Sequence, residues 1–148
     1  MDDVALANYI AGAYFGLVEA GRLDDFCSKL LGVRAGIEIW FSDYTLVKLR
    51  ERHGDINFFH YRYMPSILLH GCVAKGRKST LLELWWVGHC DPETMAFQVV
   101  LKATSKGEVY IETFHRVHLK DACRVRRKAL REGRLVRDQS FAEVYIDA

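Results

Sequence analysis

The sequence predicts an α+β protein, with helical patterns gathered toward the N-terminus and an antiparallel sheet organised around Met95–Arg116. The segment MAFQVVLKATSKGEVYIETFHR carries the sheet half of that expectation. Met95–Thr104 and Val109–His115 are rich in β-branched, aromatic and aliphatic residues, and Ser105-Lys106-Gly107 between them supplies a hairpin turn. Gly107 is the residue best able to take the positive φ such a turn requires. The helical half rests on apolar residues at helical spacing near the N-terminus and on a basic amphipathic stretch at His118–Arg131.

Alternation assigns faces within the hairpin. Met95, Phe97, Val99 and Leu101 line one side, and Gln98, Val100, Lys102 and Thr104 the other. On the second strand Thr113 and His115 share a face, opposite Glu112, Phe114 and Arg116. Thr80–Val87, TLLELWWV, is a further β-prone run expected beside one of these strands. There Leu82, Leu84 and Trp86 oppose Glu83 and Trp85, and a Glu in that company needs a partner or a cleft.

From the N-terminus, Asp2-Asp3 precede VALANYIAGAYFGLVEAGRL, which reads as a capped helix with Leu6, Tyr9, Ile10, Ala13 and Leu17 on one side. Gly12, Gly16 and Ala20 form a small-residue stripe that would let a second copy approach, so a homo-oligomer through this helix is expected. The run is too short for a membrane span and too acidic at its start for a signal peptide, so neither a membrane partner nor export is expected. Asp24–Leu31 is a second short helix ending at Gly32. Ile37–Phe41 is a strand, followed by Ser42-Asp43 as an N-cap and a helix through YTLVKLRERH to Gly54. His53 falls in its last turn on the inward side, where the helix dipole favours the imidazolium; a satisfied core histidine is the plain alternative. Pro65 opens a helix through Ser66–His70. Tyr61 and Tyr63 are placed to stack on bases or, more ordinarily, to fill a core. Cys72–Ala74 is a short strand and Phe141–Ile146 a final edge strand.

At 148 residues the chain is expected to form one domain: a helical unit over 1–33, a core over 37–131 and a strand or tail over 140–148. Four cysteines without regular spacing read as reduced core thiols of a cytoplasmic protein, and His89-Cys90 is a poor metal signal, so no metal and no cofactor are expected. The net charge of +2 hides an asymmetry. Arg116–Arg137 holds nine Lys/Arg against two Asp/Glu, leaving the rest of the chain acidic. Lys120, Arg124, Arg127, Lys128 and Arg131 lie within about a 100° arc of one helix, with Leu119, Ala122, Cys123, Ala129 and Leu130 opposite. Arg126 falls among the apolar positions, to snorkel or to point at a site. Such a basic stripe suggests an anionic partner, most simply nucleic acid.

The order of a strand, SDYTLVKLRERH, an aromatic-Pro segment, an apolar strand, VVLKATSKGEVYIETFHR and a basic helix resembles the phage-type nuclease-like domains of the barnase–EndoU–colicin–RelE superfamily. The resemblance covers Ile37–Arg131 and implies N-terminal helices packed on an antiparallel sheet of about four strands. It also implies metal-independent cleavage of RNA, with an inhibitor protein as a further partner. By position His53, Lys102, Thr104, Thr113, His115 and Arg116 match the polar residues lining the cleft of such domains. The chemistry suits them: histidines as acid and base toward the 2′-hydroxyl and leaving oxygen, and Lys, Arg and Thr around the phosphorane. His53, Lys102, Thr113, His115 and Arg116 are therefore the expected catalytic set. Arg116 fits only if the strand ends or twists beside His115. Two alternatives stand beside the ribonuclease: a silent nucleic-acid-binding module using Lys120, Arg124, Arg127, Lys128 and Arg131, or a phage assembly protein that keeps the fold without the activity.

Overall fold

The structure is a computed structural model that describes residues 18–42, 45, 58–90 and 93–139. In chain order the elements are β1 (Val18–Arg22), α1 (Asp25–Leu31), β2 (Glu38–Phe41), α2 (Phe58–Tyr61), α3 (Met64–His70), β3 (Cys72–Lys75), β4 (Leu81–Cys90), β5 (Glu93–Ala103), β6 (Val109–Val117), α4 (Leu119–Arg131) and β7 (Leu135–Arg137). The strands form one seven-stranded sheet in the order β1-β2-β6-β5-β4-β3-β7.

This corrects the expected architecture. The sheet is mixed and wider than four strands: β2 lies parallel to β6, while every other neighbouring pair is antiparallel. β3 to β6 run as an antiparallel meander, and β1, β2 and β7 extend it on both sides. The last part of the expected N-terminal helix is corrected too, because Val18–Arg22 is a strand paired with Glu38–Phe41; its earlier residues, with Leu6, Tyr9, Ile10, Ala13 and Leu17, lie outside the described residues. Over Val18–Arg22 the expected helix gives way to non-local pairing, a frequent tertiary override of local preference. Ala20 sits fully buried in that strand, so it cannot complete a helical stripe with Gly12 and Gly16, which lie outside the described residues. The expected strand at Phe141–Ile146 and most of the helix ending at Gly54 lie outside them as well.

Local signals elsewhere hold. Asp24 caps α1 by accepting from the Cys27 N–H at 2.7 Å, and Gly32 closes it. Ser42 Oγ accepts from the Thr45 N–H at 3.2 Å, the capping contact expected after β2. Pro65 occupies the first turn of α3. Gly107 turns the β5–β6 hairpin with φ +80°.

The sheet separates two apolar layers. On one face Ile39, Phe41, Leu82, Leu84, Phe97, Val99, Leu101, Val109, Ile111 and Phe114 pack against α1, α2 and α3. Tyr61 is core here, edge-to-face with Phe41 and Phe114. Tyr63 stacks on Trp86 and Phe97. On the other face Cys72, Ala74, Trp85, Val87 and Ala96 receive Ala122, Cys123 and Ala129 of α4. A bulge decides who faces where on β6. Val100 pairs with Thr113 but Leu101 pairs with Ile111, so Glu112 is the extra residue. Strict alternation would put Val109, Ile111, Thr113 and His115 on one side; the bulge sends the first two into the core and the last two to the α4 face. All four cysteines are free and buried.

Candidate nucleic-acid interface

α4 begins where β6 leaves the sheet and crosses toward the β7 edge, which places its N-terminal turn beside β5 and β6. Its inward side is built of small residues, Ala122, Cys123 and Ala129, so the helix lies close to the sheet. Lys120, Arg124, Arg127, Lys128 and Arg131 are all exposed, as their shared arc requires. Leu119 and Leu130, expected on the packed side, are 37% and 57% exposed, because they fall at the two ends of the helix.

The remaining cations of the basic segment have other work. Arg126 points inward and grips Asp138 with two nitrogens, at 2.9 and 2.6 Å. That guanidinium holds the Asp138 carboxyl below its ordinary range. Asp138 also accepts the Cys72 S–H at 3.2 Å. Burial first, then this bond to a carboxylate, pushes the Cys72 thiol up to about 12. Next in the chain, Gln139 stands in for a strand: its side-chain amide bonds the Val87 N–H at 2.9 Å and the Val87 carbonyl at 2.6 Å. Arg134 donates to Glu83 at 3.3 Å and to the Lys75 carbonyl at 2.9 Å, which supplies the partner Glu83 needed. Arg137 joins Asp24, the Gly71 carbonyl and the Leu68 carbonyl. With Arg116 turned to Glu93 at 3.3 Å, nine basic residues reduce to five outward-facing ones on α4, and of those only Arg124 has an ion pair among the described residues, with Asp121 at 3.2 Å.

The expected catalytic residues are only partly brought together. His115, Thr113 and Lys102 do share the α4 face of the sheet, through the pairs His115–Gln98, Thr113–Val100 and Tyr110–Lys102. His115 Nε2 is hydrogen-bonded to Gln98 Oε1 at 2.6 Å. Lys102 stands four residues along β5 from Gln98, so its backbone is about 13 Å from the imidazole's row at the usual strand rise. Arg116 is a correction. Strand β6 continues to Val117, so Arg116 pairs with Phe97 on the opposite face and reaches Glu93 at 3.3 Å. Thr104 accepts from the Glu108 N–H at 3.2 Å and thereby braces the hairpin turn. His53 lies outside the described residues. His89 is exposed and Cys90 buried, on opposite sides of β4, so they do not converge as ligands.

Two aromatic residues that the sequence reading did not single out lie on this same face. Trp40 pairs with Tyr110, and Tyr110 with Lys102, which makes one row across three strands. The signal was available in IEIWF, where Trp40 alternates with Ile39 and Phe41. Among the described residues no helix is long and apolar enough to cross a membrane. Comparison of the chain with protein-family models, curated proteins and solved structures finds no match.

Proposed function

We propose that the chain binds nucleic acid, RNA in the first instance, through the outward arc of α4. The observation that carries this reading is the division of labour within the basic segment. Arg126, Arg134 and Arg137 are spent on internal partners, while Lys120, Arg124, Arg127, Lys128 and Arg131 are all presented outward from one helix. Contacts to phosphate give affinity without sequence preference, and they release counterions. Engaging four or five phosphates of a single strand gives a slope of about −3 in log affinity against log salt. The test is a salt titration of binding to a labelled RNA, with the Arg124→Glu/Arg127→Glu/Lys128→Glu variant beside wild type. The variant is expected to lose binding while keeping its melting temperature. Binding that ignores both salt and charge reversal would leave α4 a solvated face only.

The second reading is metal-independent cleavage of RNA by 2′-hydroxyl attack. It is favoured by the half-buried His115, hydrogen-bonded to Gln98 on the face it shares with Thr113 and Lys102. In this reading His115 moves the proton and Gln98 orients it, with Lys102 reaching along the face toward phosphate. Product analysis in EDTA tests it: a cyclic phosphate is expected from RNA and no cleavage of DNA. His115→Ala should slow the reaction about a hundredfold or more, and an unchanged rate would remove His115 from the chemistry.

A further inference from the structure

The row Trp40–Tyr110–Lys102 has no role in the core. Ile39 and Phe41 flank Trp40, and Val109 and Ile111 flank Tyr110; all four are fully buried on the other face. Trp40 and Tyr110 therefore stand on the α4 side, half-buried, on neighbouring strands about 5 Å apart. Lys102 follows on the next strand and is exposed. We propose that this row is a stacking platform for the bases of single-stranded RNA, with Lys102 and the α4 arc holding the backbone on the β5 side of the rings. The proposal rests on the nucleic-acid reading of α4 and adds the part of the ligand that α4 cannot recognise.

Two features of the face support this occupant. The first is chemical. Bases of any sequence stack on aromatic rings displayed by a sheet, and adjacent cations track the phosphates between them. A duplex hides its bases and gains nothing from such a row. The second is electrostatic. The acids around the row are already engaged. Glu38 meets Arg22 at 3.5 Å and Arg34 at 3.7 Å, and Glu19 meets Arg22 at 3.3 Å. Glu108 accepts the Tyr110 hydroxyl at 3.0 Å. Glu19 and Glu38 are thus compensated by Arg22 and Arg34, while Glu108, held by a neutral hydroxyl, is set against the exposed Lys102 of the row. Trp40 and Tyr110 also belong to the second and third strands of the sheet, each paired on both sides, so the rings are carried on a rigid base.

The test compares a short single-stranded RNA with an abasic ribose-phosphate oligomer of equal length and charge, both bound to the intact chain. Wild type should hold the base-bearing strand about tenfold tighter. Trp40→Leu and Tyr110→Leu should each close most of that gap without changing the salt slope, and Tyr110→Phe, which keeps the ring, should preserve it. Equal binding of the two oligomers by wild type overturns the platform and needs no variant to show it. So does a gap untouched in both leucine variants, or equally tight binding of a duplex. In those cases loss of binding on charge reversal in α4 would leave the α4 reading standing. No binding of either oligomer by wild type would overturn both.

Discussion

One face of the sheet is closed by Phe41, Phe97, Phe114, Met64 and Ile67, each fully buried; the other is closed by Ala122, Cys123 and Ala129 of α4. The first face gains its stability from large apolar side chains meeting three helices. The second buries Trp85 and Val87 of β4, but α4 meets them with small residues, and an Ala-rich contact removes less apolar area from water. What secures α4 and the chain after it is polar: Arg126 on Asp138, Gln139 on Val87 and Arg134 on Glu83. A helix held by its inner side and by its flanking chain leaves its outer arc unconstrained by packing. That arc is where five cations sit. The comparison teaches that the heaviest apolar packing and the outward-facing cations lie on opposite faces of one sheet.

The sharpest way to break this contrast is a truncation in the large-residue layer. Phe97→Ala removes a ring that meets His60, Tyr63, Trp86 and Phe114, and should cost about 3–5 kcal/mol in urea unfolding. A loss below 1 kcal/mol would mean the layer repacks and is not the source of stability.

A smaller effect is expected behind α4. Gln139→Ala strips the partners from the buried Val87 N–H and carbonyl, for about 1–3 kcal/mol. Its measurement is the same unfolding curve, and the change should leave α4's cations and RNA binding alone.

The Arg126–Asp138 pair gives a pH signature. Asp138 has its carboxyl lowered in the folded state, chiefly by Arg126. Its contribution is therefore present above the ordinary Asp value of 3.8 and is lost as pH falls through that value toward the depressed one. Arg126→Ala should lower stability at neutral pH and flatten its acid limb, read as melting temperature against pH. An acid limb as steep in the variant as in wild type would assign it to other carboxylates.

The smallest change in stability should come from the arc itself. Reversing Arg124, Arg127 and Lys128 should move unfolding by about 0.5 kcal/mol or less per site, since surface substitutions rarely do more. A large destabilisation would mean these side chains cover apolar surface as well as carrying charge.

What the sequence determined by itself is what local chemistry decides. Asp24 and Gly32 bound α1 because a cap and a left-handed terminus are written in single residues. Gly107 marks the hairpin, and the hairpin's neighbours on β5 alternate as their sequence says. The five cations of α4 share an arc because a helix repeats every 3.6 residues wherever it packs. The tertiary structure alone decided whatever depends on distant partners. Val18–Arg22 becomes a strand only because Glu38–Phe41 is there to pair with it, and β2 joins β6 in parallel only because both find the same edge. The Glu112 bulge, which separates Thr113 and His115 from the core, is set by register against β5. Arg116 turned from the site because β6 runs two residues further than the expected strand end at His115. In the Trp40–Tyr110–Lys102 row the hairpin brings Tyr110 beside Lys102, but Trp40 lies more than sixty positions from either, and only the pairing of β2 with β6 sets it beside them.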